Sequence, residues 1–107
     1  MTKVSQLTLT GIALPHLTTA IRSSLQRLQP GGIVLFLRNV VTTTELVRLT
    51  RELRNLLSPH ALIAVDQEGG RVARLRSPFT EWPPMRTFGD ANSPALARAA
   101  GRAMGRE

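Results

Sequence analysis

The chain contains no cysteine and no tyrosine, and aromatic residues make up only 4% of it. Without thiols it has neither disulfides nor thiolate metal sites, so redox chemistry says nothing of its compartment. So few rings leave no stacking platform for single-stranded nucleic acid. Lysine is nearly missing as well: Lys3 stands alone, and the net charge of +7 is almost wholly arginine. The arginines are dispersed from Arg22 to Arg106, several on the outer faces of predicted helices, where a charge is usually just solvated. No nucleic-acid partner is expected, although the charge alone would suit a polyanion. Long apolar runs are absent too. Leu7 to Leu14 is too short and too threonine-rich for a membrane span or a secretory signal. The expectation is a soluble cytoplasmic protein with no membrane partner.

What is present is a hydrophobic content of 42% over 107 residues, enough for a core. It is distributed in alternation. Leu7 to Leu14 is rich in strand formers and is broken by Pro15. Leu17, Ile21, Leu25 and Leu28 then recur at helical spacing, and Pro30-Gly31-Gly32 ends that helix. Ile33 to Leu37 is a fully apolar strand closed by Arg38-Asn39. Thr42 with Glu45 has capping-box spacing, and behind it Leu46, Leu49, Leu53 and Leu56 form a second helical stripe. Ser58-Pro59-His60 breaks this helix, and Ala61 to Val65 is the third strand. Ser77 to Asn92 has no clear period and reads as a loop of the kind that carries function. Ser93-Pro94 opens a last helix, which lacks a stop signal and reaches Glu107 in mid-pattern, an argument for truncation.

Repeating strand–helix units imply a parallel sheet covered by helices. Three strands make a poor closed core and leave an unpaired edge. The pattern therefore fits either a small open α/β domain or the first units of a larger barrel.

The chemistry concentrates at the end of the third strand, where Asp66-Gln67-Glu68-Gly69-Gly70-Arg71-Val72 succeeds the apolar run. Asp66 falls at a strand's carboxyl end, where α/β folds build their sites. It fits two roles, a ligand-gripping carboxylate or a cap for the adjoining turn. The glycines allow a sharp turn or the close approach of a ligand. As a phosphate cradle the segment is weak, since it lacks the spaced glycines and lysine of such loops and two acids precede it. Asn39 reads as a turn or capping residue more than a ligand contact, and Trp82 as a loop anchor more than a sugar platform.

Gly31-Gly32-Ile33-Val34-Leu35-Phe36-Leu37-Arg38-Asn39 together with Ile63-Ala64-Val65-Asp66-Gln67-Glu68-Gly69-Gly70-Arg71-Val72 resembles glycoside hydrolase family 3. More narrowly, it resembles the family's bacterial β-N-acetylhexosaminidases that recycle peptidoglycan. Phe79-Thr80, Pro83-Pro84-Met85 and Ala103-Met104-Gly105-Arg106-Glu107 match the same subgroup. The resemblance implies an α/β fold in which residues 1–107 are the N-terminal three β/α units of a truncated TIM-type (β/α) barrel. It also implies that Asp66 and Arg74 bind the terminal N-acetylglucosamine, while Glu68 and Arg71 hold the loop together. A carboxylate suits hydroxyls because it accepts two hydrogen bonds at once. Without the resemblance, Arg74 would read as a solvated loop arginine.

The resemblance places the catalytic aspartate, the acid/base histidine and a Lys-His substrate-binding pair later than Glu107. His16 and His60 match neither context. A retaining glycosidase needs both a nucleophile and a proton donor, so no catalytic residue is assigned here and the piece alone is expected to be inactive. The complete enzyme is expected to be a monomer that takes a small carbohydrate substrate and needs no metal or organic cofactor. The alternatives are a β-glucosidase of the same family and a small basic α/β binding module.

Overall fold

The structure, a computed structural model, describes residues 3–107. They form two compact units, divided between Asp66 and Gln67.

The first unit is a parallel sheet with two helices. Its strands are β1 (Leu9–Thr10), β2 (Gly32–Leu35) and β3 (Leu62–Val65), in the order β1-β2-β3. The register runs Leu9↔Gly32 between the first pair and Gly32↔Leu62 to Leu35↔Val65 between the second. Helix α1 (Thr19–Leu28) and helix α2 (Thr43–Leu56) make the crossovers between successive strands. This is the parallel α/β arrangement that the alternating pattern predicts.

The central strand takes the most burial. Ile33, together with Leu49 and Leu53 of α2, is almost fully removed from solvent. Truncating such a side chain to alanine typically costs ~2–5 kcal/mol, because the cavity collapses only in part. Gly32 is required by this crowding: a Cβ there would meet the Leu62 carbonyl oxygen at 2.6 Å. Helix α2 begins as its capping residues dictate. Thr42 Oγ1 accepts from the Glu45 N–H at 3.2 Å and donates to Glu45 Oε2 at 2.8 Å. The helices pack together, with Arg22 of α1 paired to Glu52 of α2.

The first segment departs from expectation. The strand predicted over Leu7 to Leu14 is only Leu9–Thr10, and a 3-10 turn at Val4–Leu7 precedes it. The Thr8 hydroxyl, donating to the Ser5 carbonyl at 2.7 Å, ties the chain into that turn. Helix α1 starts later than its apolar stripe suggests. Thr18 caps it by accepting from the Ile21 N–H at 3.2 Å, and Leu17 is buried just outside it. The second strand also stops early, with Leu37–Asn39 turning into a 3-10 helix.

The second unit opens with a short antiparallel ribbon, β4 (Gln67–Gly69) with β5 (Val72–Ala73). Two helices complete it, α3 (Arg86–Asp90) and α4 (Pro94–Met104). The stretch expected to be an unbroken loop thus contains a helix. Its proline neighbours mask any period, and so short a helix shows little period of its own. Ser93 caps α4 as expected, accepting from the Leu96 N–H at 3.3 Å. The helix does not run on to Glu107. It ends at Met104 with Gly105 as its C-terminal cap.

Candidate functional site

In the first unit, the segments leaving the strands assemble the sheet's carboxyl edge. After β2, the buried Asn39 turns back on the loop beyond β1. Its Nδ2 donates to the Ile12 carbonyl at 3.1 Å and the Leu14 carbonyl at 2.9 Å, while its Oδ1 accepts from the Phe36 N–H at 2.9 Å. Every strong bonding direction of this amide but one is used, so Asn39 is the capping residue of its sequence reading. Arg38 assists: its Nε donates to the Ile12 carbonyl at 3.0 Å, and its guanidinium lies 4.8 Å from the centre of the Phe36 ring.

Asp66 comes directly after β3, at the carboxyl end where the pattern predicts it. The residue is exposed, so its carboxylate escapes the heavy cost of burying a charge. In the register of the sheet it succeeds Val65 as Phe36 succeeds Leu35.

Arg74 belongs to the second unit, directly after β5, and is half-buried. The residue that fixes its backbone is one that pattern reading passes over. Gln67 Oε1 accepts from the Arg74 N–H at 2.9 Å and from the Leu75 N–H at 3.1 Å, and Gln67 Nε2 donates to the Leu75 carbonyl at 2.8 Å. No periodicity signals such a bond, because it runs from a side chain to backbone.

The glycine pair serves chain geometry. Gly69 has φ +80° and Gly70 has φ +57°, values that favour glycine. What approaches them closely is the chain itself. A Cβ on Gly69 would meet the Pro83 carbonyl oxygen at 2.1 Å, and the Gly70 N–H donates to the Trp82 carbonyl at 2.9 Å. That bond takes up one of the loop amides a phosphate cradle would use, which counts further against the cradle reading. Trp82 is half-buried, and its backbone carbonyl takes the Gly70 N–H.

Glu68 and Arg71, expected to hold the loop together, are both exposed, and among the described residues no salt bridge joins them to each other. Arg76 does the loop-holding instead. It donates to the Gly70 carbonyl at 3.2 Å and lies 3.7 Å from Glu81. At the far end of this unit, Glu107 Oε1 accepts from the Thr80 N–H at 3.1 Å and from its hydroxyl. The Thr80 hydroxyl is the main cause holding the Glu107 carboxyl below the usual glutamate range. Desolvation opposes it, and the Thr80 amide and Trp82 indole add to it.

A groove of ≈ 440 Å³ lies between α3 and α4, lined by Met85, Phe88, Ala97 and Met104 among others. No titratable residue lines it, and neither Asp66 nor Arg74 is part of its wall, so its size does not make it the site. Among the described residues no cluster of three or more acidic, histidine or cysteine side chains is placed to hold a metal ion. No described helix is long and apolar enough to cross a membrane. The chemistry on offer is a carboxylate after β3, which accepts from hydroxyl groups, and a guanidinium after β5, which donates to hydroxyl or carbonyl oxygens.

Comparison with known proteins points the same way. The family model described as the glycosyl hydrolase family 3 N terminal domain matches residues 1–107. A beta-hexosaminidase of Chromobacterium violaceum is 51% identical over 75 residues, covering 70% of this chain and 21% of that protein. A beta-hexosaminidase of Nitrosomonas eutropha is 49% identical over 79 residues, covering 74% and 23%. Among solved structures, NagZ from Neisseria gonorrhoeae in complex with N-trifluoroacetyl-D-glucosamine superposes with a TM-score of 0.74 at 36% identity, covering 89% of this chain and 30% of that one. The chain thus spans about a quarter of the length of the curated relatives it matches.

Proposed function

The chain belongs to glycosyl hydrolase family 3 through its N-terminal domain, and from that premise we propose that it supplies part of the sugar-gripping wall of a β-N-acetylhexosaminidase. Residues 1–107 are, in this reading, the N-terminal part of a single barrel domain. The complete enzyme releases terminal β-N-acetylglucosamine, with muropeptide-derived sugars as the substrate class and peptidoglycan recycling as the setting. It acts in the cytoplasm as a monomer. Asp66 accepts hydrogen bonds from hydroxyls of the terminal sugar, and Arg74 donates to the same sugar's polar groups.

The observation that carries the reading is the position of Asp66: an exposed carboxylate in the first residue after β3, at the carboxyl end of a parallel strand. Sites of parallel α/β barrels are built at that end, and the strand's own hydrogen bonds stop there. A carboxylate hydrogen-bonded to hydroxyls forms charge-assisted bonds, about twice as strong as neutral ones. The names of the relatives supply the sugar: they are beta-hexosaminidases, and one solved relative holds an N-acylated glucosamine.

Gripping is not cleaving. Retention of configuration takes a nucleophile on one side of the glycosidic bond and a proton donor on the other, with a covalent glycosyl intermediate between two displacements. Neither role is assigned to any of the 107 residues.

The test is the complete protein assayed on paired aryl glycosides. Turnover of the β-N-acetylglucosaminide in clear preference to the β-glucoside is expected. Turnover of the glucoside alone would replace the reading with that of a β-glucosidase.

A further inference from the structure

We infer that Gln67 is a positioning residue for Arg74, acting as a side-chain extension of the β4–β5 ladder. This role rests on the reading that Arg74 contacts the sugar, and it adds what makes that contact possible.

The ribbon is short. Its pairs are Gln67↔Ala73 and Gly69↔Val72, with an irregularity between Gln67 and Gly69, so backbone pairing ends at Ala73, one residue before Arg74. Beyond that point the Arg74 N–H and both polar backbone groups of Leu75 lie outside the ladder and take their bonds from elsewhere. A primary amide carries the same donor and acceptor as a peptide group. Gln67 uses both. Its Oε1 takes the Arg74 and Leu75 N–H groups at 2.9 and 3.1 Å, and its Nε2 returns a bond to the Leu75 carbonyl at 2.8 Å. One side chain thus occupies the place a further strand residue would have taken.

The consequence concerns orientation. A long side chain directs its guanidinium from its Cα, so an error in backbone direction is magnified at the tip. Fixing the N–H of Arg74 itself and both polar groups of the next residue removes that freedom before substrate arrives. A preordered group loses less freedom on binding, which strengthens affinity without touching the chemical step. The reach of the side chain matters equally. Asparagine is one methylene shorter and cannot span the same gap, and a glutamate keeps the acceptor oxygen but turns the donor facing Leu75 into a second acceptor.

The experiment compares Gln67→Ala, Gln67→Glu, Arg74→Ala and the double variant Gln67→Ala/Arg74→Ala in the complete protein, with KM and kcat measured separately on an aryl β-N-acetylglucosaminide. Gln67→Ala is expected to raise KM about five- to tenfold with kcat within about twofold, the signature of lost substrate binding. Gln67→Glu should fall between it and the parent. In the double variant KM should stay within about twofold of Arg74→Ala, because Gln67 acts through the arginine. If Arg74→Ala raises KM while both Gln67 variants leave it unchanged, or if the two effects multiply, the positioning role is overturned and the sugar contact stands. If Arg74→Ala leaves KM unchanged, the sugar contact fails and the positioning role fails with it.

Discussion

The amide of Asn39 reaches back to Leu14 and donates to its carbonyl at 2.9 Å, bridging 25 positions of sequence. With the bond to Ile12 it fixes the loop after β1 against the turn after β2. The residue is only 1% exposed, so its amide depends on these bonds. Asn39→Ala takes the side-chain partner from the Leu14 carbonyl and the Phe36 N–H and leaves the Ile12 carbonyl to Arg38, and it is expected to destabilise the protein by about 2–3 kcal/mol. A lower urea midpoint with an unchanged slope would report it; a midpoint equal to the parent's would contradict the capping role.

Gly69 sits beneath the Pro83 carbonyl with φ +80°, so alanine there meets both an unfavourable backbone region and a backbone oxygen at 2.1 Å. Gly69→Ala is expected to cost more than about 2 kcal/mol, combining left-handed strain with displacement of the proline segment. Thermal unfolding of the variant beside the parent checks it. A shift of less than a degree would mean that the 82–84 segment moves aside freely.

Asp66→Asn preserves the shape of the side chain and removes its charge. Charge-assisted bonds exceed neutral ones by about 1 kcal/mol each, so kcat/KM on the aryl β-N-acetylglucosaminide is expected to fall roughly tenfold, and further in Asp66→Ala. Equal kcat/KM for Asp66→Ala and the parent would remove the carboxylate from the site.

Glu107 titrates below the ordinary glutamate range, chiefly because of the Thr80 hydroxyl. A carboxyl depressed in the folded state binds fewer protons there than in the unfolded chain. Its contribution to stability is therefore present above the unfolded chain's value and is lost as pH falls through the folded one. Carbon-detected NMR titration should place the midpoint of Glu107 below that of a free glutamate, and Thr80→Val should raise it. The same midpoint in parent and variant would show that the hydroxyl is not the cause.

Much of the first unit is legible because its elements carry their own signals. Leu46, Leu49 and Leu53 repeat at helical spacing behind a Thr42 cap, and all three are buried. Val65 ends an apolar run, and Asp66 stands next to it at the strand's end as predicted. The failures share a physical origin. Leu9–Thr10 is flanked by a 3-10 turn that Thr8 ties to Ser5 and by the Ile12 and Leu14 carbonyls that Asn39 holds, and the contribution of Asn39, 25 or more positions away, is encoded nowhere in Leu7–Leu14. The β4–β5 ribbon is too brief to alternate, and α3 is too short to show a period. Gln67 and Arg76 bind backbone groups six to eight positions away, and side-chain-to-backbone bonds leave no trace in composition or spacing. Of the site, the address of Asp66 is readable from the residues alone and Arg74 only through the family resemblance, while the amide that anchors the arginine's backbone is legible in neither.

The closure of Gly69 and Gly70 upon Trp82 and Pro83 has a consequence for divergence. It makes the stretch from Val72 to Glu81 a strap of set length, buckled at both ends. Relatives should vary it by substitution and keep their insertions and deletions for the ground beyond Pro84, where no such buckle holds.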